Sequence, residues 1–416
     1  MADDASPPPP RVLELTPLNP DFREDPYAVL AKLRANHPVM RDDLAGVFFV
    51  SRYEDVRGIV TDLSLWRHPE KAEEAAVLTR RILEQEPGAE REREREGVGS
   101  ILLLDDPDHA RIRNPLAQAL YKRVAKCRPL VEEIVGEALD EIEGQKTFDL
   151  MKAVSLPIPI DVIARILGVD HTRLAEFRDW SEGLIQSLNP LRTPEQTEHM
   201  MRASEALWTF MSNMLVMRRA KPEDDLVTDM VQLQAAGADI GDADLVTNLI
   251  SLLVGGNLTT TDLIGNGVRQ FLLNPAELEK LKAEPSLIGA AVEEVLRFDP
   301  PVDITGRIAS KEMEVGGCPI HKTQSMLVSL RGANRDPDVF ENPDKFDITR
   351  KKSPHVSFGG GAHICIGAPL ARLEAQVTLI RLFERFPNLR LADPSVAPEW
   401  RTLPFFRGLQ HLEVTT

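Results

Sequence analysis

Phe358-Gly-Gly-Gly-Ala-His-Ile-Cys365-Ile-Gly367 is the stretch that predicts the fold of this 416-residue chain. It combines an aromatic residue, a glycine-rich turn, one basic residue and one thiol, and an apolar helical pattern follows it. A single cysteine in this setting suits a thiolate that binds one metal whose other ligands come from elsewhere. The alternative is an inert, buried cysteine in a glycine-rich turn, because free cysteine often behaves as a small apolar residue.

The number of cysteines narrows the kind of metal centre. A zinc site needs three or four protein ligands, and an iron–sulfur cluster needs about four cysteines, whereas the chain has three. Haem iron needs one axial ligand from the protein, and an axial thiolate pushes electron density toward O–O cleavage. The glycines would let backbone N–H groups approach the sulfur and tune such a metal.

The positions of Phe358, Gly361, His363, Cys365 and Gly367 resemble the haem-binding loop of the cytochrome P-450 superfamily. Segments 335–340 and 407–414 also resemble the family, so the resemblance extends from about residue 18 to the C terminus. It implies one domain over 18–416, mainly α with a small β portion, with haem b between a long central helix and the helix that follows the cysteine loop. We expect residues 1–17, which include four successive prolines, to be a disordered tail.

Composition and charge exclude several classes of protein. The net charge of −16 argues against anionic partners such as nucleic acid or an anionic membrane surface. No stretch approaches the roughly 20 apolar residues of a membrane span, and the N terminus lacks the basic start and apolar middle of a signal peptide. Three scattered cysteines are typical of a reducing compartment, so we expect a cytoplasmic protein without a membrane anchor.

Hydrophobic periodicity predicts a mostly helical chain. The predicted helices are 25–36, 54–60, 107–122, 129–143, 157–167, 172–187, 194–219, 242–272, 275–283, 287–297 and 368–386. The predicted strands are few, namely 47–50, 326–329, 389–391 and 412–414. The helix that begins at residue 242 would be about 45 Å long at 1.5 Å per residue. The alternating charges at 90–96 indicate a solvated surface segment or, from their place in the family, a mobile flap over the substrate entrance.

Glu294 and Arg297 lie on one face of a predicted helix at a spacing of i,i+3. Alone, such a pair is common on exposed helices and contributes little. The resemblance identifies it with the family's Glu-x-x-Arg motif, which precedes the haem loop and joins a second arginine, here Arg350. Because a buried charge persists only when it is paired, the implied role is structural, holding the segment that enters the cysteine loop.

Haem propionates need cations or strong donors, and planar arginine binds a carboxylate bidentately. His109 and Arg113 lie one turn apart on the same face of a predicted helix. The resemblance implies that they bind the propionates together with Arg307 and His363, and that Cys365 ligates the iron. The residues that it assigns to haem binding are thus His109, Arg113, Arg307, His363, Phe358, Gly361 and Gly367.

The long predicted helix carries two glycines and three threonines in its middle, within Val254-Gly-Gly-Asn-Leu-Thr-Thr-Thr-Asp262. Glycine costs a helix interior roughly 1 kcal/mol, and such a local conflict often marks function. The resemblance identifies this segment as the oxygen-binding groove, where a glycine pair lets a flat ligand approach and a threonine hydroxyl can bend the helix. The candidate catalytic residues are Gly255, Gly256, Asn257, Thr259, Thr260 and Asp262.

This groove departs from the family pattern at Leu258, where an aspartate or glutamate is usual. In the family that acid relays protons to the oxygen being reduced, which leucine cannot do. Asp262, one turn later, could substitute only through water. Otherwise Asn257 and the hydroxyl groups of Thr259 and Thr260 carry the relay.

Family position also assigns the residues that line the substrate pocket. They are Leu253, Val302, Asp303, Ile304, Phe405 and Phe406. Most of them are apolar, so we expect a small apolar substrate such as a terpenoid, steroid, fatty acyl or aromatic compound. Asp303 is the polar exception and could meet a hydroxyl group or an amine.

The resemblance implies a soluble, bacterial-type haem-thiolate monooxygenase that inserts one atom of O2 into an unactivated C–H bond. The chain has no G-x-G-x-x-G dinucleotide motif, so electrons would come from a 2Fe–2S or similar ferredoxin with an NAD(P)H-dependent reductase. A local basic patch could offset the overall acidity where ferredoxin docks, and it comprises Lys122, Arg123, Lys351, Lys352 and Arg372. Two alternatives stay open: a peroxygenase driven by hydrogen peroxide, which Leu258 favours, and a haem-based sensor, which would not need the oxygen groove.

Overall fold

The computed structural model describes residues 9–85, 99–189 and 191–416. Its helices are α1 (Pro20–Glu24), α2 (Pro26–Asn36), α3 (Tyr53–Thr61), α4 (Val77–Gln85), α5 (Asp108–Val124), α6 (Arg128–Asp140), α7 (Pro157–Leu167), α8 (Leu174–Leu184), α9 (Pro194–Ala220), α10 (Leu226–Ala235), α11 (Asp242–Leu273), α12 (Pro275–Ala283), α13 (Ile288–Phe298), α14 (Leu330–Ala333) and α15 (Ala368–Arg385). Its strands are β1 (Val39–Asp42), β2 (Val47–Val50), β3 (Thr147–Asp149), β4 (Ile304–Ile308), β5 (Met313–Val315), β6 (Cys318–Ile320), β7 (Ser325–Ser329), β8 (Arg390–Leu391), β9 (Glu399–Trp400), β10 (Leu409–His411) and β11 (Glu413–Thr415). Within these residues, no helix combines the length and the apolar character that crossing a membrane requires.

Helix α11 is the central element, and its 32 residues span about 48 Å. The Asp244 carboxylate accepts the Gly241 N–H at 3.1 Å, which satisfies a free donor at the start of the helix. Helices α7, α9 and α15 pack around it. Ile264 and Phe271 are fully buried. The core of the protein therefore forms along the length of α11.

The largest sheet has four strands in the order β1-β2-β7-β4. Strands β2 and β7 are parallel, and the other neighbours are antiparallel. Arg307 of β4 lies opposite Met326 of β7. Because side chains alternate along a strand, Thr305 and Arg307 share one face of β4 and Ile304 lies on the other. The remaining strands form a small sheet, β3-β11-β8, and the hairpins β9–β10 and β5–β6.

Two helices that begin with proline have the bounds predicted from the sequence. Pro157 opens α7 and Pro275 opens α12, where a missing N–H costs nothing. The predicted helix 172–187 is instead α8 with a 3-10 turn at each end. The sequence analysis does not predict α10, which Asp225 caps by accepting the Thr228 N–H at 2.7 Å.

Part of the predicted tail, before residue 18, is folded. Val12–Leu15 forms a 3-10 helix in which Val12 and Leu15 are fully buried. The Val12 N–H donates to the Asp42 carboxylate at 2.8 Å and so joins this segment to β1. The boundary between tail and domain expected at residue 18 therefore differs from the structure. Residues 1–8 and the charge run at 90–96 lie outside the described part of the chain.

Candidate functional site

The cysteine loop runs from Phe358 to the start of α15. Gly359 and Gly361 have φ values of 69° and 62°, which other residues rarely adopt. A Cβ atom on Gly361 would lie 2.9 Å from the Val60 carbonyl oxygen, so glycine also lets the loop pack on the end of α3. The Cys365 N–H donates to the Phe358 carbonyl oxygen at 2.9 Å and closes the loop.

Cys365 is an exposed residue, although protein atoms surround its sulfur closely enough to affect its pKa. Burial raises the pKa of its thiol, whereas the Gly367 N–H, the Arg113 guanidinium and the Ala368 N–H lower it. Donors that favour a free thiolate also stabilise a thiolate bound to a metal. No group of three or more His, Cys, Asp or Glu side chains in the described residues could hold a metal ion. Within the described residues, Cys365 therefore does not belong to a metal site built from three or more protein side chains.

Four basic side chains gather beside this loop, and we call them the basic cluster: Arg67, His109, Arg307 and His363. The rings of His109 and His363 have centroids 4.1 Å apart. His109 Nδ1 lies 3.5 Å from a carboxylate oxygen of Asp106. His109, Arg307 and His363 line a cavity of about 120 Å³.

Burial makes positive charge unfavourable in the basic cluster. Burial, reinforced by the neighbouring cations, lowers the pKa of His363 to about 2 and that of Arg307 to about 9. Burial lowers the pKa of Arg67 to about 10, although Asp105 opposes the shift for both arginines. Within the described residues, His109 Nε2 and Arg67 Nε have no hydrogen-bond partner. A group with two carboxylates, such as haem with its propionates, fits this cluster.

Arg113 and Arg67 depart from the sequence prediction in opposite ways. Arg113, expected on the propionates, donates to the Ile364 carbonyl oxygen and ties α5 to the cysteine loop. Arg67 is not predicted, yet its backbone N–H donates to Asp105 at 2.6 Å and its Nη1 to Thr305 Oγ1 at 3.2 Å. No local signal marks Arg67, because it lies in an irregular segment that distant contacts bring to the cluster.

Glu294, Arg297 and Arg350 form one buried network. Glu294 accepts two hydrogen bonds from Arg297, at 2.7 and 2.8 Å, and one from Arg350 Nε at 3.2 Å. It also accepts the Asp347 N–H at 2.9 Å. Arg297 donates to three further acceptors, the carbonyl oxygens of Asn334, Pro343 and Lys345. The network joins α13 to the segment that leads into the cysteine loop, so the position of the loop depends on it.

Gly255 and Thr259 form an accessible part of α11. Thr259 Oγ1 donates to the Gly255 carbonyl oxygen at 2.9 Å, one turn earlier, as threonine can in a helix. Gly256 instead lies against α7, where an added Cβ would be 3.3 Å from Ile163 Cγ1. The Thr259 hydroxyl is therefore the polar side-chain group that this groove presents, beside the partly buried Leu258.

The other predicted groove residues have different surroundings. Asn257 and Thr260 are buried, and Asp262 has no exposed surface. The Asp262 carboxylate forms an ion pair with Arg401, between β9 and β10. A buried anion is stable when it has such a partner. The structure thus corrects the idea that Asp262 replaces the acid missing at Leu258, because its carboxylate is committed to Arg401.

Among the predicted pocket residues, Val302 and Phe405 are partly exposed. Val302 pairs with Phe406 across an isolated bridge. Phe405 has a φ of 69°, which is rare for a bulky residue and is often found at functional sites. Its carbonyl oxygen accepts the Asp303 N–H at 2.8 Å. This bond holds the β9–β10 connection against the start of β4.

Leu253, Asp303 and Ile304 are not available to a substrate. Leu253 is fully buried in the main core. Ile304 lies on the face of β4 opposite Arg307 and packs in the N-terminal hydrophobic cluster. Asp303 is buried, and its carboxylate is paired with the fully buried Arg331. The expectation that Asp303 meets a hydroxyl group or an amine of the substrate is therefore corrected.

Arg331 is the centre of a second buried network. It donates to Asp299 Oδ1 at 2.7 Å, to the Tyr27 hydroxyl and to the Pro300 carbonyl oxygen. Burial raises the pKa of Asp299, but Arg331 and Arg407 outweigh it and hold that pKa at about 2. The network joins α2, the end of α13 and α14 behind the start of β4.

The predicted basic patch is only partly free. Its three lysines, Lys122, Lys351 and Lys352, are exposed and form no ion pair within the described residues. Arg123 is paired with Asp229 at 2.5 Å, and Arg372 with Glu293 at 2.6 Å. Both arginines are thus neutralised by carboxylates of the same chain.

Comparisons with known proteins agree with the resemblance seen in the sequence. The family model described as Cytochrome P450 matches residues 65–398. Cytochrome P450 107B1 of Saccharopolyspora erythraea is 34% identical over 97% of this chain and 98% of that protein. The 6-deoxyerythronolide B hydroxylase of the same organism is 34% identical over 94% of this chain and 96% of that protein.

Solved structures show the same fold. The crystal structure of P450BioI in complex with an acyl carrier protein ligated to hexadec-9Z-enoic acid superposes with a TM-score of 0.86. The two chains are 30% identical, and the match covers 95% of this chain and 100% of the other. The mostly helical architecture with small sheets is therefore shared over nearly the whole length.

Proposed function

The chain belongs to the cytochrome P450 family and is a monooxygenase, and we propose that it hydroxylates an apolar small molecule. The observation that carries this proposal is the accessible Cys365 beside the basic cluster. One sulfur ligand suits a metal that already has ligands of its own, and unbalanced cations next to it suit an acidic cofactor. Both properties match haem and neither matches a zinc or iron–sulfur site.

We infer that the cofactor is haem b. Cys365 would ligate its iron, and the propionates would bind to the basic cluster, where Arg67 Nε is free to donate and a protonated His109 would donate from Nε2. When bound there, haem supplies the activation of O2 for insertion into a C–H bond. The N–H groups of Gly367 and Ala368, which oppose the rise in pKa that burial causes, would donate to the sulfur of the metal-bound thiolate.

Thr259 is the residue that we propose handles protons in the groove. Its own hydroxyl proton is donated to the Gly255 carbonyl oxygen. The lone pairs of Thr259 Oγ1 are therefore turned outward and can accept a hydrogen bond from a water molecule. Leu258 contributes no proton, so the supply would pass through Thr259 and water.

The substrate that we propose is mainly apolar, and Val302 and Phe405 would contact it while excluding water. A related structure holds a hexadec-9Z-enoic acid chain on an acyl carrier protein, which is consistent with a fatty acyl substrate for this chain. The test is a titration of the haem-loaded protein with fatty acids, terpenoids, steroids and aromatic compounds. We expect at least one class to give a saturable shift of the haem spin state. No shift and no oxidised product with any class would contradict the proposal.

The electron donor that we propose is a ferredoxin with its NAD(P)H-dependent reductase. Lys122, Lys351 and Lys352 are exposed without ion pairs in the described residues and would attract an acidic partner. A peroxygenase is the second candidate, because Leu258 stands where an acid would deliver protons during O2 reduction. Product formation with a surrogate ferredoxin and reductase, compared with formation from hydrogen peroxide alone, separates the two. Turnover by peroxide only would favour the second candidate.

A further inference from the structure

Arg372, Glu293 and His355 form a chain of contacts behind the cysteine loop. Arg372 of α15 donates to both carboxylate oxygens of Glu293 in α13, at 2.6 and 2.9 Å. On its other side, Glu293 Oε2 lies 3.0 Å from His355 Nε2. The Ser357 N–H donates to His355 Nδ1 at 3.2 Å, so the neutral ring carries its proton on Nε2 and donates it to Glu293.

Arg372 also covers Phe358, with the centre of its guanidinium 4.5 Å from the ring centroid. Phe358 opens the cysteine loop, and its carbonyl oxygen accepts the Cys365 N–H at 2.9 Å. A guanidinium that is bound along one edge by a carboxylate and across one face by a ring has a fixed position. Because that ring belongs to the loop that carries Cys365, the guanidinium lies beside the proposed sulfur ligand.

The backbone of this part of the loop is held independently. Asn334 Nδ2 donates to Ser357 Oγ at 2.8 Å, and Asn334 Oδ1 accepts the Val356 N–H at 2.9 Å. Ser357 Oγ in turn donates to the Leu296 carbonyl oxygen at 2.7 Å. Because these bonds fix the backbone before Phe358, a change at Arg372 acts through its charge and the ring rather than through a refolded loop.

We propose that Arg372 is a positioning residue that sets the reduction potential of the haem held by Cys365, with Glu293 as the counter-charge that fixes it. The inference rests on the proposed ligation of haem by Cys365. It gives Arg372 a role within the protein, in place of the ferredoxin-docking role predicted from the sequence. The step affected is the transfer of one electron to ferric haem, which gives ferrous haem without any bond to Arg372 being made or broken.

The sign of the effect follows from charge. Reduction adds one negative charge to the haem, so a nearby cation favours it and a nearby anion opposes it. In the unmodified chain the charges of Arg372 and Glu293 largely cancel. Arg372→Met leaves the Glu293 carboxylate uncompensated and should lower the potential, whereas Glu293→Gln leaves the guanidinium uncompensated and should raise it. A loss of packing alone would not shift the reduction potential in opposite directions in the two variants.

The test is a potentiometric titration of the haem-loaded protein with redox dyes at pH 8.5. We expect each single variant to change the equilibrium constant for reduction about tenfold, which is about 59 mV for one electron, in opposite directions. The reduction potential of the double variant should return toward that of the unmodified chain. Arg372→Lys keeps the charge but not the bidentate contact, so its potential should lie close to that of the unmodified chain.

Arg385→Met is the matched control. Arg385 lies on the same helix, donates to Asp140 and Glu143 at 2.8 Å each, and has a side chain that is 40% exposed, close to the 35% of Arg372. It follows Arg372 by about 20 Å along α15. Its replacement should leave the potential unchanged.

The CO complex of each reduced protein is recorded first, because a thiolate haem gives a strongly red-shifted band. If the unmodified chain lacks this band, the proposed function is wrong and the inference falls with it. A normal band with shifts of the same sign, or with changes below twofold, would overturn the inference alone. If Arg372→Met does not retain haem, the rise expected of Glu293→Gln carries the test, and its absence would overturn the inference.

Discussion

Glu294→Ala removes the anion at the centre of the network that precedes the cysteine loop. Glu294 accepts two hydrogen bonds from Arg297, one from Arg350 and one from the Asp347 N–H, and the substitution deletes all of them. Arg297 keeps its three backbone acceptors but loses its counter-charge. Because the Arg297 side chain is 0% exposed, water cannot replace the lost carboxylate.

The expected loss of unfolding free energy is about 3–5 kcal/mol, the usual result of removing one partner of a buried ion pair. Arg350 adds little, since its side chain is 12% exposed and can turn to solvent. A loss of this size is a large share of the roughly 5–15 kcal/mol that stabilises a typical native protein. Glu341→Ala is the control, because Glu341 is exposed, and it should change stability by less than about 0.5 kcal/mol.

Urea unfolding of the haem-loaded proteins, followed by far-ultraviolet circular dichroism, measures this difference. Haem content from the Soret absorbance shows whether the loop still forms. We expect Glu294→Ala to have a lower unfolding midpoint and a lower haem content than both the unmodified chain and Glu341→Ala. A loss below about 1 kcal/mol with full haem content would refute the reasoning, since it would mean that the backbone carbonyl oxygens alone satisfy Arg297.

Four other variants test the site and the buried network behind β4. Cys365→His should keep the fold but lose the strongly red-shifted CO band, and survival of that band would exclude Cys365 as the ligand. Thr259→Ala should raise the share of NAD(P)H-derived electrons released as hydrogen peroxide, because the groove loses its accessible hydroxyl. Asp262→Asn should lower the unfolding midpoint, because it breaks the pair with Arg401, and should leave the share of electrons released as peroxide unchanged. These assignments would be contradicted by an unchanged peroxide share in Thr259→Ala or by an increased peroxide share in Asp262→Asn. Asp299→Asn should destabilise the protein at pH 7, and the difference should shrink as the pH falls from about 3.9, the pKa of an unfolded aspartate, toward the folded-state value of about 2. A depressed pKa stabilises the fold above the unfolded value and ceases to do so as the carboxylate is protonated, so a difference in urea midpoints that stays constant between pH 5 and pH 3 would contradict this origin.

The features that the sequence predicts are those that depend on neighbours along the chain. Pro157 and Pro275 mark the first turns of two helices, because proline fits only there without losing a hydrogen bond. Glu294 and Arg297 face the same side because three residues nearly complete one helical turn. The cysteine loop belongs to this class as well, since its glycines, aromatic residue and thiol lie within ten positions.

The features that the sequence does not predict depend on contacts between distant segments. Strand β4 is not among the predicted strands. Without it, the sequence does not show that Ile304 faces the N-terminal hydrophobic cluster and Arg307 the basic cluster. Asp262 and Arg401 meet only after α11 and the β9–β10 connection have packed together. Arg67 reaches the site through Asp105 for the same reason. Each of these positions looks like an ordinary charged or apolar residue until the tertiary contact is made.

The basic cluster has a consequence for the amount of this protein in a cell. Burial makes the charges of Arg67 and Arg307 unfavourable, so an anionic cofactor that binds only the folded chain relieves that cost. Such a ligand stabilises the folded state by about 4 kcal/mol when its concentration is a thousand times its dissociation constant. Chains made under haem starvation would lack this contribution and would open more often. Since proteases in a cell remove opened chains, the supply of haem would regulate the abundance of the enzyme after its synthesis, without any dedicated regulator.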